Sequence, residues 1–294
     1  MPKGTKSSSS LPSPSGEGAV RDGGAPAIER AMATIELLAD KPDGLTLSEL
    51  ARLLDVNKAL AHRVLQALDA AGYVFRVEPA GLYRLTYKVR NIGLRHMSST
   101  HLLDQNLSVL QGLADMTDEL VRLAVVEGDT LTWVAALQGT RRMLQLNPNY
   151  TFHIHLHTHA TGKIWLSTLP RAHALELVHN AGIEPRTENS VTDLARLEAE
   201  LDLARERGYA MTYEEDEVGV GAVAAPIMAR QLDGSMRCVG VVSLAAPTSR
   251  MSREQLDSHH PLVVAAARRL ADRWPADTAG NPLKIDAAPP DRSP

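Results

Sequence analysis

Between residues 45 and 85 the apolar positions recur first every three to four residues and then every second residue. That change of period predicts two helices followed by a hairpin. Leu47, Leu50, Ala51 and Leu54 mark the first helix, with Thr46 placed to cap it and Glu49, three residues on, placed to reach back. Asp55, Val56 and Asn57 interrupt the pattern. From Lys58 a second helix carries Ala61, Val64, Leu65 and Leu68 on one face and ends at Ala70, Ala71 and Gly72. Residues 73–77 alternate as a strand, turn through 78–81 and return over 82–85. Upstream, a helix over 28–39 is expected to lay Ile28, Met32, Ile35 and Leu38 onto this pair.

Helix, short turn, helix and hairpin in about 40 residues form the layout of a winged helix-turn-helix, so double-stranded DNA is the expected partner. The outer face of the second helix carries Lys58, His62, Arg63 and Gln66, donors that reach phosphates or base edges from a major groove. The wing is expected to turn Arg76, Tyr83 and Arg84 outward. Charge sharpens the expectation: Lys58, Arg63, Arg76, Arg84, Lys88, Arg90 and Arg95 stand against only Asp69 and Glu78 between residues 56 and 95, in a chain whose net charge is −4. A local basic strip on an acidic protein suits a phosphate-facing edge.

The remaining pattern is mixed, and an α+β fold class is the most economical reading. After a helical connector over 87–101, a second domain is expected over 102–274. It has a helix at 107–116, strands at 120–127, 131–137 and 142–146, and helices at 160–167, 171–180 and 192–207. Strands follow at 209–213, 221–227 and 238–245, with one final helix over 252–273. An antiparallel sheet with helices at its sides fits that order. Residues 1–24 and 275–294, rich in Ser, Gly, Pro, Ala and Asp, read as tails, which leaves 25–86 for the DNA-binding domain.

At 294 residues and 44% hydrophobic content the chain suffices for two globular domains. It carries no apolar run of membrane-spanning length and no secretory signal pattern, so no membrane partner and a cytoplasmic location are expected. Cys238 is the single cysteine, which rules out an internal disulfide and reads as a small core residue. His153, His155, His157 and His159 alternate; in an extended strand all four rings would share one face and two could share a metal ion, so a metal-binding regulator stands as an alternative. Hydrogen bonding or packing is the competing reading of these rings, no metal site is assigned, and no cofactor is expected. An enzyme is the rival class, but phosphate-loop, nucleophile-elbow and dinucleotide motifs are missing. The run Glu214, Glu215, Asp216, Glu217 reads as a solvated turn edge, with one member able to face a pocket.

Taken in order, 47–74 (with Arg63, Leu65, Leu68 and Gly72), 82–93, 156–170, 207–227 and 239–251 resemble the IclR family of transcriptional regulators from Ala27 to Trp274. The resemblance implies a winged helix-turn-helix, a linker helix used in dimerisation, and a GAF-like effector-binding domain, in a homodimer or tetramer. It also implies a regulator of a catabolic operon rather than an enzyme. Relatives carry Ser-Thr after the recognition lysine, whereas here Ala59 and Leu60 follow Lys58 and offer apolar contacts to thymine methyls. The implied effector pocket uses amides at Ala160, Thr161 and Gly162, with His157 and His159 beside them and Ser243 as a polar wall. Thr212, Ala222 and Ala245 stand where some relatives carry Asp, Cys and Ser, which favours a larger or flatter organic or aromatic carboxylate over a small, very polar acid. Trp133, Met143, Leu144 and Leu146 are the expected apolar walls. The acid group is expected at the helix start near 160, where free N–H groups and the helix dipole favour an anion.

Overall fold

The computed structural model describes residues 25–274 apart from 101, 140, 143–144, 147–153 and 232. Met143, Leu144 and His153 therefore lie outside the described residues, as do both tails. The chain divides into two compact units between Leu94 and Arg95.

The first unit begins with α1 (Ala25–Ala39), followed by β1 (Leu45–Thr46), α2 (Leu47–Leu53) and α3 (Lys58–Ala70). Strands β2 (Val74–Val77) and β3 (Leu82–Leu85) form the hairpin, and α4 (Tyr87–Thr100) leaves it. The capping box closes α2: the Thr46 amide donates to Glu49 Oε2 at 2.8 Å, and the Glu49 amide donates to Thr46 Oγ1 at 3.3 Å. Asn57 caps α3 through its Oδ1, which accepts from the Leu60 amide at 2.9 Å. Gly72, at φ +74°, terminates α3 in the left-handed region that favours glycine.

Two expectations for this unit need correcting. Ile28 and Met32 are 63% and 53% exposed, while Thr34 and Leu38 are buried and Ala31 and Ile35 are partly so. The core stripe is offset along α1, and Thr34 enters it because its hydroxyl is satisfied by the Arg30 carbonyl at 2.7 Å. Tyr83 is buried rather than outward, because β3 is the middle strand of a three-stranded sheet ordered β1-β3-β2 and Tyr83 pairs with Leu45 on one side and Arg76 on the other.

The second unit contains α5 (Leu102–Thr117), β4 (Leu120–Glu127), β5 (Thr130–Gln138), α6 (Ala160–Ser167), α7 (Arg171–Ala181) and α8 (Leu194–Arg207). It continues with β6 (Ala210–Tyr213), β7 (Val220–Arg230), β8 (Met236–Pro247), α9 (Arg253–Asp257) and α10 (His260–Ala271). The five strands are antiparallel in the order β5-β4-β8-β7-β6. One sheet face, with Leu123, Val223, Val242 and Leu244, packs with Leu110 and Leu113 of α5 and Val263 and Leu270 of α10. The other, with Ala124, Ala210, Ala224 and Val241, packs with Ile164 and Trp165 of α6.

Here too the sequence pattern overreaches in three places. The described residues Arg141, Arg142, Gln145 and Leu146 form no strand; the Arg141 amide and the Gln145 side chain are taken up by Asp118 Oδ1 and the Gly139 carbonyl instead of a ladder. The last helix is broken at Ser258 and His259, because Pro261 has no N–H to continue a helix but suits the first turn of a new one. The described part of the histidine run, from Ile154 to His159, is not extended: Thr158 and His159 amides both return to the His155 carbonyl, at 3.4 and 3.0 Å, to make a turn that leads into α6.

Candidate functional site

On the first unit, Lys58, Ala59, His62, Arg63 and Gln66 all project to solvent from α3, with Leu60 half-buried at its start. The wing supplies less than expected. Arg76 is exposed but pairs with Glu78 at 3.1 Å, and Arg84 spends its Nε on the Asp43 carbonyl at 2.9 Å, tying β3 to the loop before β1. Lys88 is also occupied, donating to the Ala71 carbonyl at 2.6 Å and standing 4.5 Å from the Tyr73 ring centre. Among the described residues, Lys58 and Arg63 of α3 are exposed and in no ion pair or side-chain hydrogen bond.

On the second unit, a cavity of about 470 Å³ opens beside the α6 face of the sheet. That is within the usual range for a small-molecule site. A cleft between α7 and α8, of about 10 Å³, has room for no more than about one water. Small side chains make the larger cavity: Ala245 pairs with Leu120 on one side and Ala222 on the other, and Ala222 pairs with Thr212. Leu120, Thr212 and Ala222 line the cavity together with Leu146 and Val220.

Its polar wall comes from three places. Arg122 projects from β4, His155, Thr158 and His159 come from the turn before α6, and Asp216 and Glu217 come from the β6–β7 connection, with Arg186 at the edge. That connection is held by Glu214, at φ +56°, whose carboxylate accepts from the Gly219 amide at 3.2 Å and the Thr248 hydroxyl at 2.5 Å. Asp216 accepts from Thr158 Oγ1 at 2.7 Å and lies 2.8 Å from His155 Nδ1 and 3.5 Å from His159 Nδ1. Burial pushes the Asp216 carboxyl up, but His159, Thr158 and His155 together outweigh it and hold it below the usual carboxylate range. Burial holds His159 down to about 4, so that ring is neutral at physiological pH.

Arg122 is the outstanding group. It is largely buried, and among the described residues its Nε has no hydrogen-bond partner and its guanidinium is in no ion pair. Its neighbours are the Trp133 ring, 4.5 Å away, and the more distant charges of Asp216 and Glu217. Burial lowers its pKa, those two carboxylates oppose the shift, and an arginine stays charged regardless. On the neighbouring strand, Ser243 is paired with Arg122 in register, and its buried hydroxyl has no hydrogen-bond partner among the described residues. A buried cation and a buried hydroxyl left unsatisfied on one sheet face are the arrangement an anion would complete.

Of the residues expected to hold an effector, His159, Thr212, Ala222 and Leu146 line the cavity, and Ser243, Ala245 and Trp133 each neighbour a residue that does. Others are placed elsewhere. His157 is buried with Nε2 on the Glu184 carbonyl at 2.9 Å. Ala160, Thr161 and Gly162 are buried and do not line the cavity, and a Cβ on Gly162 would stand 2.6 Å from Leu156 Cα, so the first turn of α6 is packed against its own approach. The sequence pattern misses Arg122 and Arg186 as ligand-binding residues, although the lone charge in the apolar run LVRLAVV is a signal for Arg122; of the 214–217 run, expected to turn one member to a pocket, Asp216 and Glu217 both line it.

With this geometry in hand, comparison with known proteins is specific. Residues 94–272 match the profile described as bacterial transcriptional regulator IclR C-terminal, and residues 27–78 match the IclR helix-turn-helix domain. The chain is 32% identical over 235 residues to the DNA-binding transcriptional repressor YiaJ of Escherichia coli, covering 79% of this chain and 82% of that protein. Among solved structures it resembles a putative IclR transcriptional regulator from Silicibacter, with TM-score 0.70, 26% identity, and coverage of 88% of this chain and 98% of that one. It also shares the fold of an IclR homologue from Microbacterium hydrocarbonoxydans solved with 4-hydroxybenzoate, at TM-score 0.69 and 20% identity, covering 84% and 98% of the two chains.

Proposed function

The chain belongs to the IclR family of bacterial transcriptional regulators, and from that premise we propose that it grips an operator through α3 and senses an organic anion in the Arg122 cavity. Family and relatives are DNA-binding regulators and not enzymes. No described helix is long and apolar enough to cross a membrane.

The observation that carries the effector reading is Arg122: a largely buried guanidinium on the wall of a 470 Å³ cavity, without an ion-pair partner among the described residues. A buried cation is costly to leave alone, and a carboxylate meeting it away from water makes a charge-assisted hydrogen bond, stronger than a neutral one. The aliphatic and small side chains around it, Leu120, Leu146, Val220 and Ala222, leave space for an apolar body behind the acid group. A ligand of that kind, an aromatic or branched organic acid, agrees with the 4-hydroxybenzoate held by the fold relative.

The DNA reading rests on α3, whose Lys58, His62, Arg63 and Gln66 share an exposed face. One such helix reads few base pairs, so a homodimer on a two-fold symmetric operator, or a tetramer built from two of them, supplies the specificity. An anion changes operator affinity only if it binds the two states of the protein unequally. The test is fluorescence anisotropy of an operator duplex, selected by the protein from a randomised pool, during titration with small aromatic and aliphatic acids. We expect an acid that shifts operator affinity at least ~5-fold in the wild type and leaves Arg122→Met unmoved. A shift of the same size in both proteins, or none for any acid, contradicts the reading.

A further inference from the structure

The turn that replaces the expected histidine strand has a chemical consequence of its own. His155 and His159, four residues apart, bring their rings together at 5.5 Å between centroids, and Asp216 approaches from the β6–β7 connection. One ring nitrogen from each histidine and one Asp216 oxygen all lie within 4.8 Å of one another. Two of those separations, 2.8 and 3.5 Å to Asp216 Oδ1, bracket the ~3.4 Å edge of a tetrahedron of ligands at about 2.1 Å from a zinc-like ion. All three residues face the cavity.

We propose that His155, His159 and Asp216 form a binding site for a divalent transition-metal ion on the wall of the effector cavity. Two imidazoles and one carboxylate are a donor set suited to Zn²⁺, Co²⁺, Ni²⁺ or Fe²⁺ and poorly suited to Mg²⁺ or Ca²⁺, which take all-oxygen sites. The set is held before any ion arrives. Thr158 Oγ1 fixes Asp216 at 2.7 Å, supporting a ligand from outside the metal's own sphere as such partners commonly do, whereas His159 Nδ1 accepts from the His155 amide at 3.1 Å and must give up that hydrogen bond to meet the ion. Loading displaces the hydrogen bond between His155 Nδ1 and Asp216: a neutral ring then carries its one proton on Nε2, and only a ring protonated on both nitrogens releases one to solvent. Three protein ligands leave at least one coordination position, as sites that take an outside ligand do. The carboxylate drawn in by Arg122 can fill it. The proposal thus deepens the anion reading, but ion binding itself does not depend on it.

The probe is Co²⁺, titrated into the full chain after dialysis against a chelator and followed through its visible d–d absorption. We expect one ion per chain, and at least ~10-fold weaker binding in Asp216→Asn and in His159→Gln. Arg122→Met, which removes a positive charge coupled to His159 and Asp216, is expected to bind Co²⁺ no more weakly than the wild type. The chain has eleven histidines, so binding that is equal in wild type and both ligand variants assigns the ion to other rings and overturns the proposal. If either variant fails to fold by circular dichroism, the wild-type titration decides alone: no d–d spectrum overturns the site. In either failure, acid binding by the wild type stays independently measurable, so the anion reading stands or falls on its own test.

Discussion

The guanidinium carbon of Arg122 lies 4.5 Å from the centre of the Trp133 ring, on the strand that pairs with its own. An indole face beneath a desolvated cation contributes about 0.5–2 kcal/mol, which offsets part of the cost of burying Arg122 without a carboxylate. Trp133 is therefore a positioning residue for the cavity. Binding of an acid at Arg122 is expected to change Trp133 emission, and Trp133→Phe is expected to remove the change while weakening acid binding several-fold. An unchanged emission response in Trp133→Phe would assign the signal to Trp165 or Trp274 and separate the pair from ligand binding.

Operator contact is expected to be divided unequally along α3. Arg63→Ala should weaken operator binding by about 1–3 kcal/mol if its side chain reaches a base edge, whereas Lys58→Ala should weaken all sequences alike and reduce the salt slope by about 1. Arg84 is engaged by the Asp43 carbonyl at 2.9 Å, so Arg84→Ala should cost folding stability more than sequence discrimination. Anisotropy at several salt concentrations distinguishes these effects. Equal loss for cognate and scrambled duplexes in Arg63→Ala would reassign that side chain to the phosphates.

Gly162 is a tight joint in the first turn of α6. Its α-carbon lies so near Leu156 that an added Cβ would stand 2.6 Å from both the Leu156 Cα and its carbonyl oxygen, backbone atoms that cannot swing aside. Gly162→Ala should destabilise the second unit by about 1–3 kcal/mol, read by urea unfolding, and should displace the turn that carries His155 and His159. A variant as stable as wild type would mean that the approach to α6 is looser than this packing requires.

The capping box of α2 predicts a pH dependence with a definite sign. Hydrogen bonds from the Thr46 amide and hydroxyl hold the Glu49 carboxyl below the usual carboxylate range. A carboxyl lowered by folding stabilises above its unfolded pKa, and that contribution is lost as pH falls through its folded value. Thermal melts at pH 6 and in mild acid should therefore differ less for Glu49→Gln than for wild type. Thr46→Ala should lower stability at neutral pH by about 1 kcal/mol. Identical acid dependence in wild type and Glu49→Gln would show that the box contributes nothing titratable.

The helix-turn-helix is legible in the chain because its signals are local: Thr46 with Glu49, the left-handed Gly72 and the alternation of 82–85 act over a few residues. What escapes sequence reading is set by distant pairings. Alternating histidines match a strand in period, but the packing of Gly162 on Leu156 and the return of amides to the His155 carbonyl make a turn there. The cavity is floored where Ala245 meets Leu120 and Ala222 across two strand pairings, and Arg122 acquires its surroundings only when Trp133, Ser243 and Asp216 are brought round it. Tyr83 looks outward in a two-stranded wing and is buried once β1 joins the sheet.

The central claim, that the second unit recognises an anion through Arg122, is tested most directly by pairing acids with their own amides. Thermal shift of the full chain against a panel of small aromatic and aliphatic carboxylates, each beside its uncharged amide, isolates the acid group from the body that carries it. The account predicts stabilisation by one or more acids, none by the matching amides, and no response in Arg122→Met, since only a ligand bound to the folded state raises the melting temperature. An amide that stabilises as well as its acid, or an acid that stabilises Arg122→Met as well as wild type, would contradict it.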